Sequence, residues 1–120
     1  MLCDYCNSQA EWVENKEVYG CNYGKSYMIW LCRQCDAYVG CHNNTEVALG
    51  RMANKELREI KKEAKMLFIE KKMQGSWKCT PSKKSEAYEW LQNALCLNKD
   101  KAHFGMFDIE QCKKVVSLLT

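Results

Sequence analysis

The sequence predicts an α+β protein, with short antiparallel strands in the N-terminal half and about three helices in the C-terminal half. Two observations support this division. The first half is rich in cysteine and contains one apolar run of β-prone residues, YMIWL at residues 27–31. In the second half, apolar residues recur at intervals of three and four, which is the period of one helical face.

The strands of the first half are expected to be short. The segments EWV at residues 11–13 and EVY at residues 17–19 flank a polar turn at residues 14–16. The run at residues 27–31 is the best strand candidate because it combines aromatic and branched apolar residues. The segment at residues 38–39 is a candidate for the return strand.

Gly20 and Gly24 are expected to be turn residues between these strands. The segment GCNYGKS at residues 20–26 is similar to a phosphate-binding P-loop, but it has three residues between its glycines where the motif needs four. A P-loop also requires a helix after it, and a strand is predicted here. The sequence therefore argues against nucleotide hydrolysis.

The helices of the second half have recognisable starts. Asn54 can cap a helix that runs to about Met73. A second helix is expected from Pro81 to about Leu97, because proline favours the first helical position. Asp108 begins the last helix, since the glutamine three residues later can complete a capping box. The predicted domain organisation is residues 1–49 followed by a helical region at 50–120, forming one compact unit.

The N-terminal half carries two cysteine pairs with C-x2-C spacing, CDYC and CRQC. Two residues between thiolates allow one tight turn to present both sulfurs to a single ion at about 2.3 Å. Four thiolates without an open position are typical of a structural zinc site. The spacing predicts that a structural Zn²⁺ ion is bound by Cys3, Cys6, Cys32 and Cys35. The full fold prediction is thus a zinc ribbon of short antiparallel strands packed on a C-terminal bundle of about three helices.

Other interpretations of the cysteines stay open. A redox dithiol would need a βαβ context, which the N-terminus does not predict, and an iron–sulfur cluster is an alternative four-cysteine centre. Cys41 could replace a ligand, but we expect it to be a small buried residue, as are Cys96 and Cys112. His42 is a catalytic residue, contacts phosphate, or forms hydrogen bonds to the backbone near the metal site.

Charge is distributed unevenly along the chain. Residues 1–50 carry three basic and six acidic side chains, a net charge of −3, and residues 51–120 carry fifteen basic and nine acidic, a net charge of +6. The densest basic segment is either a solvated helix face or a surface for phosphate or an acidic partner. The candidate residues for binding nucleic acid or a partner are Lys61, Lys62, Lys65, Lys71, Lys72 and His42.

Several motifs occur in an order and spacing typical of one family. They are CDYC at 3–6, YGCNYGKSY at 19–27, CRQCDAYVGCHNNT at 32–45, LGRMANKELR at 49–58, AYEWL at 87–91 and HFGMFDIEQC at 103–112. In these motifs the chain resembles a family of small zinc-finger-containing proteins of unknown function found in phages and prophages. The resemblance implies that the two cysteine pairs ligate zinc, and it implies no activity.

The expected compartment is the cytoplasm of a bacterial host cell. The N-terminus has no basic region followed by an apolar run, and the longest apolar runs are far short of a membrane span. We therefore expect no signal peptide and no membrane partner. In a reducing cytoplasm, cysteines bind metal or stay reduced.

Three functional hypotheses follow. The leading one is a non-enzymatic zinc-binding protein that binds nucleic acid, specifically DNA, through a basic helical face. The alternative is a phage or prophage protein-interaction module that inhibits or adapts a host protein such as a defence nuclease. The third is an enzyme that uses His42, His103 or Cys41, which would require two of these side chains to converge beside a pocket. Our expectation is that the protein is not an enzyme.

Overall fold

The computed structural model has an α+β fold, which confirms the predicted class. It describes residues 1–24, 26–75 and 78–120. The chain divides into two compact units, Met1–Lys55 and Glu56–Thr120, and each is described by itself. The division into residues 1–49 and 50–120 stays a prediction.

The first unit contains an antiparallel sheet with the strand order β1–β2–β3. Its strands are β1 Glu11–Glu14, β2 Met28–Cys32 and β3 Ala37–Gly40. Trp12 pairs with Trp30 across β1 and β2, and their ring centroids lie 4.8 Å apart. The strands predicted at residues 11–13, 27–31 and 38–39 are therefore confirmed, with boundaries shifted by a residue or so.

The strand predicted at residues 17–19 is wrong, because a short helix, α1 Lys16–Tyr19, stands in its place. The buried Asn15 precedes it and makes two hydrogen bonds to one residue further on. The Asn15 side-chain amide donates to the Tyr23 carbonyl at 2.7 Å, and Asn15 Oδ1 accepts from the Tyr23 N–H at 3.0 Å. These bonds fold the segment back on itself, so it cannot extend along the sheet.

Gly20 and Gly24 are turn residues, as predicted. Their φ angles are +82° and +79°, in the left-handed region that glycine adopts without a steric penalty. A Cβ at either position would meet no atom within 4 Å, so the requirement is conformational. Lys25 of the P-loop-like segment lies outside the described residues. The segment leads into strand β2, which supports the argument against nucleotide hydrolysis.

Three longer helices follow the sheet in the described part of the chain. They are α2 Lys55–Lys72, α3 Pro81–Leu95 and α4 Ile109–Leu119. Thr80 caps α3, because its Oγ1 accepts a hydrogen bond from the Lys83 N–H at 3.2 Å. Pro81 takes the first helical position, so the predicted start of this helix is confirmed.

The capping box predicted at α4 is present. Asp108 Oδ1 accepts from the Gln111 N–H, and the Asp108 N–H donates to Gln111 Oε1, both at 2.9 Å.

Asp108→Ala removes an acceptor that no other side chain replaces, so we expect a loss of about 1 kcal/mol in the free energy of unfolding. Urea denaturation followed by circular dichroism measures this loss. Asp100→Ala, at an exposed aspartate outside the helices, is the control, and equal midpoints for the two variants would refute the role of the cap.

The second unit is built around an aromatic core. Phe68 on α2 lies with its ring centroid 5.4 Å from that of Tyr88 and 5.4 Å from that of Phe104, and the Phe104 ring lies 5.1 Å from Phe107. Phe68 and Phe107 are fully buried. The aromatic residues before α4 thus pack against the helices through edge-to-face and tilted ring contacts.

The two helical cysteines differ in burial. Cys112 is fully buried on α4, as predicted. The prediction that Cys96 packs in the core is wrong, because α3 ends at Leu95 and Cys96 takes a left-handed conformation with φ of +54°. This turn directs the chain out of the helix and leaves Cys96 exposed.

Candidate metal centre

Four cysteines of the first unit come together at one point. Their Sγ atoms all lie within 4.8 Å of one another, and Cys6 Sγ lies 3.7 Å from Cys32 Sγ. The residues are those of the two C-x2-C pairs, Cys3, Cys6, Cys32 and Cys35. The described residues include every cysteine of the chain, and none of them forms a disulfide.

The first cysteine pair lies in a tight turn at the N-terminus. The Asn7 N–H donates to the Cys3 carbonyl at 3.0 Å, which closes the turn. The Tyr5 N–H donates to Cys3 Sγ at 3.4 Å, so a backbone amide faces the sulfur. Asn7 has a φ of +64°, a left-handed conformation that asparagine tolerates better than most residues. The turn therefore presents both sulfurs on the same side.

The second pair repeats this arrangement between β2 and β3. Cys32 is the last residue of β2, and it pairs with Ala37, the first residue of β3. The residue after the pair, Asp36, has a φ of +51°, and its N–H lies 3.4 Å from the Arg33 carbonyl. An aspartate thus takes the left-handed position here that Asn7 takes in the first turn.

The residues between the first two cysteines anchor this turn to a distant segment of the same unit. Asp4 Oδ2 accepts a hydrogen bond from the Met52 N–H at 2.8 Å. The Tyr5 hydroxyl donates to the Met52 carbonyl at 3.3 Å and accepts from the Asn54 N–H at 3.2 Å. The fully buried Met52 side chain joins the hydrophobic cluster that contains Cys3 and Cys32. The cysteine turns are therefore part of a core and are held in place from both sides.

The thiols of the cluster do not share one proton affinity. The Ser8 hydroxyl and N–H donate to the Cys6 sulfur and lower the pKa of Cys6 to about 6. The hydrogen bond between Cys35 and Cys6, together with burial, raises the pKa of Cys35 to about 12. The Cys6 thiol therefore ionises more readily than the Cys35 thiol, because hydrogen bonds from Ser8 favour the Cys6 thiolate while the hydrogen bond with Cys6 and burial favour the neutral Cys35 thiol. A cation must be present before all four can be deprotonated.

The sulfur geometry fits a single tetrahedral metal ion. Metal–sulfur bonds of about 2.3 Å in a tetrahedron place the sulfur atoms about 3.8 Å apart. The separation of 3.7 Å between Cys6 Sγ and Cys32 Sγ matches this value and is far longer than a disulfide bond. An iron–sulfur cluster divides its thiolates among several irons and would need wider separations. All-sulfur ligation suits zinc among the common metal ions.

Asn7, Ser8 and Asp36 are residues of this site that the sequence analysis did not single out. Asn7 and Asp36 each follow the second cysteine of a pair, and both types tolerate the left-handed conformation. A C-x2-C pair followed by asparagine or aspartate is a visible signal for a left-handed residue at the end of the cysteine turn. The hydrogen bonds from Ser8 to Cys6 carried no comparable signal, because they depend on how the chain leaves the turn.

Cys41 and His42 lie outside the four-sulfur cluster. Cys41 is buried, burial and the charge of Glu46 raise its pKa, and it pairs with Ala48 across a short loop. The prediction that Cys41 packs as a small apolar residue is therefore confirmed. The His42 N–H donates to the Val47 carbonyl at 2.9 Å, and its side chain is exposed on this loop. A binding role for His42 stays a prediction.

The five lysines predicted to contact nucleic acid or a partner do not all share one side of α2. At about 100° of rotation per residue, four of them and Arg58 fall within about 100° of the helix circumference. We call this group the basic face, and it consists of Arg58, Lys61, Lys62, Lys65 and Lys72. Lys71 lies about 80° outside it. The glutamates of the helix occupy a separate arc about 60° wide, formed by Glu56, Glu59, Glu63 and Glu70.

A small antiparallel sheet whose two cysteine turns meet at one four-sulfur centre defines a metal-binding protein of the zinc-finger class. The chain belongs to a family described as a zinc-finger-containing domain, whose family model matches residues 1–120. Searches of curated proteins and of solved structures found no match. Among the described residues, no helix is long and apolar enough to cross a membrane.

Proposed function

We propose that this protein is a non-enzymatic Zn²⁺-binding protein that binds DNA through the basic face of α2. The ion would be held by the four clustered cysteines, where it neutralises the thiolates and joins the two turns. The observation that carries the proposal of DNA binding is the separation of charge around α2, since the basic face contains no glutamate.

The surroundings of the basic face are also suited to nucleic acid. Lys72 Nζ lies 4.5 Å from the centroid of the Trp90 ring, so an aromatic side chain lies beside the cations. Lys62 and Lys65 are exposed, whereas Lys61 and Lys72 are half-buried. Phosphate contacts from such lysines supply most of the affinity of non-specific binding. Aromatic rings next to them can add stacking with bases where the duplex opens.

The non-enzymatic assignment is part of the same proposal. The thiol of Cys41 is buried and its pKa is raised, which disfavours the thiolate that a nucleophile needs. A Zn²⁺ ion held by all four cysteines would have no open coordination position, whereas catalytic zinc sites keep one.

Measuring affinity for duplex DNA across a range of salt concentrations tests DNA binding. If four lysines contact phosphates, the logarithm of the association constant should fall with the logarithm of salt with a slope of about −3.6. Lys65→Glu should weaken binding about tenfold or more. It should also make the slope shallower by about 0.9, which is the contribution of one phosphate contact. Fluorescence anisotropy with a labelled duplex measures both the affinity and its dependence on salt.

Lys71→Glu is the matched control, because it makes the same charge change at an exposed lysine of the same helix outside the basic face. We expect Lys71→Glu to weaken binding clearly less than Lys65→Glu and to leave the salt slope unchanged, because Lys71 lies about 80° away from the basic face that would contact the phosphates. Equal losses for the two variants, or an affinity that does not depend on salt, would sink the proposal.

A second candidate function is protein binding, and a cavity on the acidic side of α2 favours it. This cavity of about 360 Å³ is lined by Met66, Leu67 and Thr120, by three glutamates, and by Lys62 of the basic face. The glutamates are Glu59, Glu63 and Glu70, so acidic side chains outnumber the single lysine. Met66 is 61% exposed, which is unusual for a large apolar side chain in a cavity. Such a surface suits a partner with apolar and basic residues, as in a phage or prophage protein that inhibits or adapts a host protein such as a defence nuclease.

Capture of partners from bacterial lysate, with and without nuclease treatment, separates the two candidates. A protein partner should survive nuclease and high salt and should be lost with Met66→Glu, whereas Lys65→Glu should retain it. Capture that nuclease abolishes favours DNA binding. Retention of the partner by Met66→Glu would rule out the cavity as its binding surface.

A further inference from the structure

A second cavity in the helical unit differs in its chemistry from the acidic one. It has a volume of about 450 Å³, within the range of small-molecule sites. Its polar lining residues are Lys84, Ser85, Tyr88, Gln92, Lys99 and His103. Two lysines and a histidine therefore border one cavity, and none of the described residues that line it is acidic.

One wall of the cavity is a face of α3. Lys84, Tyr88 and Gln92 follow one another at intervals of four, so their side chains stack along the same side of the helix. Lys84, Tyr88 and Gln92 are half-buried, so part of each side chain is removed from water along this wall. The cavity extends to Pro81 at the start of α3, where the helix dipole favours a negative charge.

A second part of the lining is a short turn that contributes Lys99 and His103. The Ala102 N–H donates to the Asn98 carbonyl at 3.1 Å, and the Lys101 N–H donates to Asn98 Oδ1 at 3.1 Å. These bonds close the turn that contains Lys99, and His103 follows directly after it. The buried Ala102 contributes a small side chain to the lining, which leaves space between the walls. Cations thus approach the cavity from two independent segments.

The remaining groups can donate hydrogen bonds to an anion. Burial raises the pKa of Tyr88, so its hydroxyl keeps its proton at neutral pH and can donate it to an oxygen atom. The Ser85 hydroxyl and the Gln92 amide add further donors. A phosphate group has several acceptor oxygens and a charge near −2, which is the combination that such a lining complements.

We propose that this cavity binds a phosphomonoester, that is, a terminal phosphate group on an organic body. Lys84 and Lys99 neutralise the phosphate from two segments of the chain, and Tyr88 and Ser85 donate hydrogen bonds to its oxygens. The volume exceeds that of phosphate alone, so part of the attached group also enters the cavity. This site is separate from the basic face of α2 and does not depend on DNA binding there.

Calorimetric titration of the full-length, zinc-loaded protein with AMP, adenosine and inorganic phosphate tests the proposal. AMP should bind saturably, inorganic phosphate more weakly, and adenosine not measurably. Lys84→Gln and Lys99→Gln should each weaken AMP binding about tenfold, as expected for losing one charge-assisted hydrogen bond. Lys99 is exposed, so its variant keeps the test valid if Lys84→Gln disturbs the fold.

Lys114→Gln is the control, since it removes the same charge from an exposed position of α4 that does not line the cavity. AMP affinity should stay within about twofold of wild type in this variant and in Lys65→Glu, where the change lies outside the cavity. Adenosine binding as tightly as AMP would overturn the proposal, as would equal losses for Lys99→Gln and Lys114→Gln. The proposal would also be overturned if AMP showed no saturable binding up to about 5 mM. A dissociation constant of that size corresponds to a binding free energy of about −3 kcal/mol.

Two sources can supply the terminal phosphate, a small metabolite or the 5′ end of a nucleic-acid strand. Competition against AMP distinguishes them, using one oligonucleotide with a 5′-phosphate and the same strand with a 5′-hydroxyl. Displacement by the phosphorylated strand alone identifies the strand end, and displacement by neither strand identifies a small phosphomonoester. Equal displacement by both strands would contradict the proposal, because it would mean that internal phosphates are bound.

Discussion

Cys32→Ser is expected to abolish tight binding of Zn²⁺ and to unfold the first unit, Met1–Lys55. Cys32 occupies the junction between the metal centre and the sheet, because it is both a predicted ligand and the last residue of β2. Its sulfur lies 3.7 Å from Cys6 Sγ, so its loss opens the coordination shell between the two turns. A serine hydroxyl is a poor substitute, since it stays protonated where a thiol ionises.

The size of this effect follows from the small core of the first unit. The hydrophobic cluster around the metal centre contains six buried residues, of which two are ligands and two are alanines: Cys3, Ala10, Cys32, Ala37, Val39 and Met52. Small units bury a smaller share of their surface on folding than large ones, and small metal-binding modules are commonly unfolded without their ion. The metal is therefore expected to supply most of the stability of the sheet.

Two-dimensional amide NMR of the full chain, with metal content measured in parallel, tests this expectation. Cys32→Ser should collapse the amide dispersion of residues in the sheet and reduce the bound zinc below one ion per chain. A strong chelator added to the wild-type protein should give the same spectrum. Cys21→Ser is the control, because Cys21 is exposed in the same unit and lies outside the cluster. A dispersed spectrum with one tightly bound zinc in Cys32→Ser would refute the assignment of ligands.

Local signals in the sequence predicted much of this fold. The C-x2-C spacing brought the four cysteines together correctly, because a two-residue interval fixes both sulfurs within one turn. The starts of α3 and α4 were predicted from Pro81 and Asp108, since a cap acts within three residues of its own position. These features depend on neighbours in the chain, and neighbours are visible in a sequence.

The errors and omissions involve contacts between distant residues. The segment after Asn15 has strand-like composition, but a buried side chain that binds the backbone of Tyr23 turned it into a helix. The cavity beside α3 was missed because Lys84 and His103 have no common motif and meet only when the chain returns past Asn98. The position of Lys71 outside the basic face follows from helix periodicity, and a binding role for Lys71 stays a prediction.

Phe68→Ala is expected to lower the free energy of unfolding of the second unit by about 3–5 kcal/mol, the usual range for removing a buried phenyl ring. Phe68 is fully buried, and its ring lies against both Tyr88 of α3 and Phe104 before α4. The cavity left by the missing phenyl ring would lie where α2, α3 and the segment before α4 meet. None of these segments can move to fill it without losing its other contacts. Such a loss is a large fraction of the stability of about 5–15 kcal/mol that is typical of domains.

The effect of Phe68→Ala separates two sources of stability in the chain, the aromatic core of the second unit and the metal centre of the first. Denaturation of the zinc-loaded protein, followed by helical ellipticity, should show the loss for Phe68→Ala, while the bound zinc stays at one ion per chain because its ligands lie in the other unit. Met66→Ala changes a side chain of similar size on the same helix, but Met66 is 61% exposed, so its effect should stay within about 0.5 kcal/mol. If Phe68→Ala were no worse than Met66→Ala, the aromatic core would not hold the helices. If it also released zinc, the metal centre and the helices would be coupled in stability, and the sheet could not depend on the metal alone.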